Sequence, residues 1–517
     1  MDHLLAIDNG TQSVRAILFD YAGEIVAKER VKFEPYVSDK PGWAEQDVSV
    51  YWDAVGLACK TLWSSGASPD SVRAVSLTTQ RGTVVNLDKD GKPLRRAIVW
   101  LDQRKSYECP PLGGLLGQIF KLIGAREIIR SFQIETEANW IAINEPTIWF
   151  NTDKYLLLSG YLNYKLTGQF KDSIGSQVGY LPFDYKNHCW ASANDFKWQI
   201  APFRKSMLPD LVEPGEKLGE ITALASEHTG IPQGIPVIAS AADKACEVLG
   251  SGASTTNVAC LSYGTTATVN ITSEKYREPR PLLPPYPAAI ARAFTLEEQI
   301  FRGFWMVSWF KQEFGLSEQR LAKERNIEEE ELFDQLLIEA PPGSMGLILQ
   351  PFWSPGVRVP GPEAKGAIIG FGDVHKRSHL YRAIIEGLAY AMRAAKEHLE
   401  KRSGVKITEI KVAGGGAQSD AVMQITADVL GMKVSRPQIY EASALGAAIN
   451  AAVGIKVYAN YQSAIKAMTR MGKTFEPDAL NHALYDKLYR QVYCDMYKQL
   501  KPLYEHIRAI TNYPPPL

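Results

Sequence analysis

Residues 4–20, LLAIDNGTQSVRAILFD, alternate from an apolar run through a polar turn to a second apolar run, and so read as strand, turn and strand. Asn-Gly between two such runs is a strong short-range hairpin signal, because both residues tolerate the positive φ of a tight turn. The meander continues through 24–33, and the spacing of apolar positions over 47–62 becomes helical. Residues 72–78 and 82–87 again read as strands, with Asp88-Lys-Asp-Gly91 as a turn. Strand and helix signatures in alternation predict an α/β fold.

The run GIPVIASAADKACEVLGSGA predicts a strand over 237–240 and places Asp243 at the opening of a small-residue helix. Residues 253–257 read as a linker, and 258–271, VACLSYGTTATVNI, repeat the opening pattern of strand, Gly-Thr turn and strand. Two such hairpins, each opening one half of the chain, predict a duplicated fold with a cleft between the halves. Beyond them, PRPLLPPYP (279–287) reads as an extended loop, and the aromatic-rich segment 302–314 as a buried helix. Four consecutive glutamates at 328–331 suit a solvated helix start. A short strand at 410–413 runs into Gly414-Gly415-Gly416, with a helix from about Ser419 to residue 430. The remainder is expected to be helical and Tyr-rich, ending in a loose Pro-rich tail at 514–516.

At 517 residues the chain exceeds one ordinary core, so about two to four domains are expected. The 57 basic and 57 acidic residues cancel, which removes the electrostatic case for nucleic acid or an anionic membrane and leaves a small molecule as the expected partner. Six cysteines without CxxC pairing fit reduced thiols in a cytoplasmic protein and argue against a structural metal. The first residues lack the basic and apolar segments of a signal peptide, and no apolar run is long enough to span a bilayer.

The chemistry-bearing segments form a set of four: the hairpin at Asp8, the hairpin at Gly264, the helix opening at Asp243 and the glycine turn at Gly414. The first hairpin alone is compatible with an ordinary surface turn or with a phosphate clamp. Together the four supply what a Mg-nucleotide and phosphoryl transfer need. Asp8 would hold or water-bridge Mg²⁺, which takes one or two carboxylates plus phosphate oxygens. Gly10, Thr11, Gln12 and Ser13 offer amides and hydroxyls to phosphate oxygens; Thr11 and Gln12 would face the transferable phosphate, and Thr265 and Thr266 the inner phosphates. Gly414, Gly415 and Gly416 would let backbone lie close to adenosine, and Asp243 would take a proton from a substrate hydroxyl. No GxxxxGK[ST] occurs, GGGAQSD lacks the GxGxxG spacing, and the eight histidines form no HExxH. His375 and His379 read as surface residues rather than metal ligands.

The chain resembles the FGGY carbohydrate kinases of the actin-like ATPase superfamily from about residue 4 to residue 454. The landmarks stand in order: DNGTQSVR from Asp8, PGWAEQD from Pro41, AIVWLDQR from Ala97, LTG from Leu166, and ASAADKACEVLGSGA from Ala239. YGTT follows from Tyr263, then GAIIGF from Gly366, RAIIEGLAYAMR from Arg382, GGGAQSDAVMQITADVLG from Gly414 and EASALGAAINAAVG from Glu441. The resemblance implies two ribonuclease H-like domains flanking a deep interdomain cleft, with sugar held mainly by the first and ATP mainly by the second. Residues 1–252 would form the sugar-binding domain, 253–455 the ATP-binding domain, and 456–517 a helical segment packed on them.

Position by position, Asp243 matches the family's catalytic base; Asp8, Thr11 and Arg15 its first phosphate motif; Gly264 and Thr265 its second; Gly414, Gly415 and Ser419 its adenosine motif. Arg81, after Gln80, matches a sugar-contacting position, and Asp102 lies in a motif that is either structural or substrate-facing. Two departures bear on the acceptor. Arg81-Gly82 stands where glycerol kinases carry Arg-Glu and xylulose kinases Met-His near Gln80-Arg81, and Asp243-Lys244 stands where an acid-Gln pair is expected for glycerol. Lys244 could depress the pKa of Asp243, reach a substrate hydroxyl or acid, or point away along its helix. The implied activity is ATP-dependent phosphorylation of a small sugar or polyol, most simply a pentulose such as xylulose, with glycerol, another polyol or a sugar acid as alternatives. A homodimer is compatible with this reading. An actin- or chaperone-like ATPase acting on a protein partner is the rival from another class, and it expects an appended peptide-binding domain or filament surface.

Overall fold

The computed structural model describes residues 2–354, 356 and 360–513, so the tail expected at 514–516 lies outside the described residues. The first half is built on a sheet of β1 (His3–Asn9), β2 (Ser13–Phe19), β3 (Ile25–Lys32), β4 (Val72–Thr79), β5 (Lys217–Glu220) and β6 (Pro236–Ile238), in the order β5-β6-β4-β1-β2-β3. The second half carries β7 (Val258–Tyr263), β8 (Ala267–Ser273), β9 (Phe294–Ile300), β10 (Glu409–Ala413), β11 (Val434–Pro437) and β12 (Met471–Phe475). Their order is β9-β8-β7-β10-β11-β12, with Tyr286–Pro287 as a short strand outside β9.

The two sheets repeat one pairing scheme. In the first, β1 pairs antiparallel with β2 and parallel with β4, which pairs parallel with β6. In the second, β7 pairs antiparallel with β8 and parallel with β10, which pairs parallel with β11. Each sheet then ends on an antiparallel strand, β5 or β12. The duplication read from two short hairpins therefore extends over both sheets.

β1 is apolar without alternation because helices cover both of its faces. Leu5 and Ile7 pack in a core with α1 (Val48–Ser64), where Tyr51, Val55, Ala58 and Leu62 are buried. Leu4 and Ala6 face the other way, into a core with α2 (Asp243–Gly250) and α3 (Ala442–Gly454). The N-cap Asp47 accepts from Ser49 N–H, which ends the preceding extended segment and starts α1 as its spacing predicts.

Two local expectations are corrected. Neither Asn9 nor Gly10 takes a positive φ: Asn9 pairs with Val14, Gly10 N–H donates to Ser13 C=O at 3.0 Å, and the loop is wider than a two-residue turn. The segment after residue 456 is not purely helical, since β12 adds to the second sheet's edge. Its residues, MGKTF, are exposed apart from Phe475, so an edge strand here carries no apolar alternation to announce it. The C-terminal helices do pack on the second half, where Tyr485, Tyr489 and Tyr493 are buried against Tyr390 of the long helix Arg377–Ser403. Among the described residues, no helix is long and apolar enough to cross a membrane.

Candidate active site

The four chemistry-bearing segments, together with Gln80 and Arg81, follow the carboxyl ends of parallel strands. Asp8 and Gly10 close β1, Gln80 and Arg81 follow β4, and Asp243 follows β6; Gly264 follows β7 and Gly414 follows β10. Ligands of open α/β sheets bind outside such strand ends, where diverging loops leave a crevice.

Asp8 and Arg15 face each other across the first hairpin, and Arg15 Nη1 donates to Asp8 Oδ2 at 3.0 Å. Arg15 Nε also lies 3.5 Å from Glu441 Oε2, at the start of α3. Burial pushes the Asp8 carboxyl up to about 6; Arg15 opposes this, while Asp243 and Glu441 add to it. A desolvated carboxylate with other carboxylates in range suits a divalent cation shared with phosphate oxygens. Among the described residues no group of three or more ligating side chains is assembled. In the same loop Thr11 Oγ1 accepts from the Trp100 indole at 3.0 Å, Gln12 is exposed, and Gln12 C=O accepts from Phe33 N–H.

Asp243 is placed by backbone contacts before its helix begins. Thr78 Oγ1 donates to Ala241 C=O and Ser76 Oγ to Ile238 C=O, which pins the segment after β6 to β4. Ala242 stays extended, so helical geometry starts at Asp243. Its side chain keeps 31% of its surface open and faces Arg81 Nε at 4.0 Å. Burial raises its pKa; Lys244 and Arg81 oppose the rise.

Lys244 does not simply run out along its helix. Its ammonium sits 3.0 Å from Glu247 Oε2, contacts Ser262 Oγ near the end of β7, and lies beside Gly264, where a Cβ would stand 3.5 Å from it. Burial alone would lower Lys244, but Glu247 and Asp243 hold it above the ordinary lysine value. Arg81 is fixed from the second half as well: its Nη1 and Nη2 donate to Glu297 at 2.9 and 2.8 Å, and the Tyr286 ring lies 5.1 Å from its guanidinium.

At the glycine turn, Gly414 has φ +89°, and a Cβ there would stand 2.9 Å from the Tyr263 backbone. Gly416 is similarly crowded by Phe304, whereas Gly415 faces open space. Two glycines thus let the turn pack on β7, and the middle one presents bare backbone to open space. Ser419 caps the helix Asp420–Leu430 by accepting from Val422 N–H and donates to Asp334. Thr265 is exposed and Thr266 half-buried at the tip of the β7–β8 loop.

Asp102 is spent elsewhere. Its oxygens accept from Ala44 N–H, Arg104 N–H, and Arg104 Nε and Nη2, and its side chain is only 4% exposed. Of the two roles open to it, the geometry supports the structural brace. His375 and His379 contact each other and nearby backbone without forming a metal cluster. A surface groove of about 580 Å³ lies beside Asp334 and Asp420, and Asp243 does not line it.

Sequence reading missed Glu297, Glu441, Tyr286 and Trp100 as neighbours of this set. A signal existed for the first: FTLEEQI places two acids inside a run that a strand buries, and a buried acid needs a partner. Several buried polar atoms near the strand ends also have no hydrogen-bond partner, namely both amide atoms of Asn9, Gln80 Oε1, Arg81 Nε and Thr83 Oγ1.

Residues 3–250 match the N-terminal domain of the FGGY family of carbohydrate kinases, and residues 259–455 match its C-terminal domain. The chain is 27% identical to the xylulose kinase of Staphylococcus epidermidis over 98% of its own length and 99% of that protein's. It is 29% identical to the glycerol kinase of Thermococcus gammatolerans over 92% and 93%. Its fold matches the crystal structure of a ligand-bound xylulose kinase from Lactobacillus acidophilus with a TM-score of 0.82, at 21% identity over 98% of this chain and 100% of that one. The chain therefore belongs to the FGGY family of carbohydrate kinases, ATP-dependent phosphotransferases that act on alcohol groups.

Proposed function

We propose that this kinase phosphorylates a hydroxyl of a small uncharged sugar or polyol, a pentulose such as xylulose, with Asp243 as general base. The observation that carries the reading is the setting of Asp243: a partly open carboxylate at a helix start, beside Arg81 and Lys244 and within electrostatic range of Asp8. In this reading residues 1–252 carry the acceptor site, 253–455 the nucleotide site, and 456–517 support the second half.

Asp243 accepts the acceptor hydroxyl's proton as the new O–P bond forms and the bond to the ADP oxygen breaks. Amides and hydroxyls of the loops at Thr11 and Thr265 face the phosphates, Gly414 and Gly415 give adenosine backbone to lie against, and Lys244 brings positive charge to the Gly264 turn. Asp8 would hold Mg²⁺, which supplies charge neutralisation on the phosphates when bound.

An uncharged acceptor is favoured over a sugar acid because the cations facing Asp243 already hold carboxylates. Arg81 is doubly bonded to Glu297, and Lys244 is paired with Glu247. The full-length similarity to a xylulose kinase favours a pentulose, and the similarity to a glycerol kinase keeps polyols in the test.

ADP formation measured across xylulose, other pentuloses, glycerol, longer polyols and a sugar acid tests this reading. Acceptor-dependent ADP release with a pentulose is expected. ATP turnover that no sugar or polyol stimulates, or a preference for the sugar acid, would overturn it.

A further inference from the structure

Arg81 and Glu297 are joined across the two halves of the chain by a bidentate pair, 216 residues apart in sequence. Glu297 is only 1% exposed at its side chain and sits on β9, with Leu296 and Ile300 pointing to the opposite face, into the second core. Gln299, two residues along and therefore on the same face, donates to Glu297 Oε1. Tyr286 stands against the Arg81 guanidinium from the neighbouring edge strand. Three of these four side chains come from the second sheet, and two of them, Glu297 and Tyr286, meet an arginine that follows β4 of the first.

The pair consumes Nη1 and Nη2 of Arg81 and leaves Nε. That nitrogen is buried, makes no hydrogen bond, and faces Asp243 Oδ1 at 4.0 Å. A buried guanidinium N–H without a partner is costly, and the planar fork fixes its direction once the other two nitrogens are held. Covered too fully to meet a substrate hydroxyl itself, that N–H directs the guanidinium charge at the Asp243 carboxylate.

We propose that Glu297 is a positioning residue for the base: by holding Arg81 from the second half, it keeps the Arg81 guanidinium against Asp243 and so sets how the Asp243 carboxylate meets the acceptor hydroxyl. This rests on Asp243 acting as the base. Because the holding group belongs to the other sheet, Asp243 is aimed only when the two halves are in register, so the base depends on the half expected to hold ATP. Burial alone would raise the Glu297 carboxyl, but Arg81 keeps it below the ordinary range, so the pair stays charged at neutral pH.

The test compares wild type with E297Q, E297D, R81Q and the double variant R81Q/E297Q, using an acceptor found active with the wild type. E297Q is expected to raise the acceptor KM or lower kcat by at least about tenfold. ATP affinity, read by titration without acceptor, should stay unchanged. E297D should recover part of the loss, and the double variant should be little worse than R81Q alone. E297Q with acceptor kinetics like wild type, equal loss of ATP affinity, or additive losses in the double variant would overturn the proposal. If E297Q does not fold, the same comparison is made between E297D and R81K, where acceptor kinetics like wild type in both would overturn it. A wild-type protein that phosphorylates no acceptor would instead refute the kinase reading itself, and the two failures are thereby distinguished.

Discussion

Gly446 packs against Cys246 with no room for a side chain: a Cβ on Gly446 would stand 2.0 Å from the Cys246 carbonyl oxygen. The contact is repeated further along, where a Cβ on Gly250 would stand 1.9 Å from the Ala442 carbonyl oxygen. These glycines let α3 lie directly on α2, the helix that begins with Asp243. Glu441, which faces Arg15 and hence Asp8, leads into α3. One helix pair thus ties the candidate base to the first hairpin.

Overpacking that crossing should be costly. Gly446→Ala is expected to destabilise the protein by about 1–3 kcal/mol, because the neighbouring group is backbone and cannot rotate away. Thermal and denaturant unfolding check this. An unchanged melting temperature would show that the two helices separate without penalty.

Asp243→Asn should reduce kcat by about 10²–10⁴-fold, the usual contribution of a general base. The amide keeps the shape of the side chain, so ATP binding measured by calorimetry should be retained. Near-normal turnover would remove Asp243 from its role.

Asp8 sets an expected acid limb. Its carboxyl is raised by burial from 3.8 to about 6, so it carries charge at pH 7 and loses it as pH falls through about 6. The kcat/KM for Mg-ATP should therefore decline below that pH, and Asp8→Asn should lose both the limb and most activity. The linkage has the opposite sign for stability. The folded state binds the proton more tightly than the unfolded state between 3.8 and about 6, so unliganded stability falls as pH rises through that window. Mg-nucleotide should stabilise most above it, which thermal shifts with and without ligand would reveal.

Lys244→Met should raise the ATP KM several-fold, since it leaves Glu247 without its cation beside the Gly264 turn and presents uncompensated negative charge to phosphate. The double variant Lys244→Met with Glu247→Gln removes both charges and should recover much of that loss. Initial-rate kinetics in ATP distinguish this from a purely acceptor-side role, which would move only the acceptor KM.

The elements legible in the sequence were those with local causes. The β1–β2 and β7–β8 hairpins, the helix opening at Asp243 and the strand before Gly414 all follow from apolar runs broken by small polar residues. Even there the Asn9-Gly10 turn came out wider than its dipeptide suggested, because Asn9 is kept in the ladder opposite Val14. The polar edge strand β12 escaped notice because its pairing is made by backbone and asks little of its side chains.

The chain by itself determined which residues stand at the ends of its strands, since strand, turn and helix start are set by neighbours a few positions apart. Only the tertiary structure decided who those residues face. Arg81 meets Glu297, Lys244 reaches Ser262, Arg15 reaches Glu441, and Asp102 turns away to Arg104. Three of these four partnerships depend on how the two halves of the chain come together, and no local propensity encodes a contact across that distance. The fourth is local in sequence, but burial decided it by leaving Asp102 no open surface to offer a substrate.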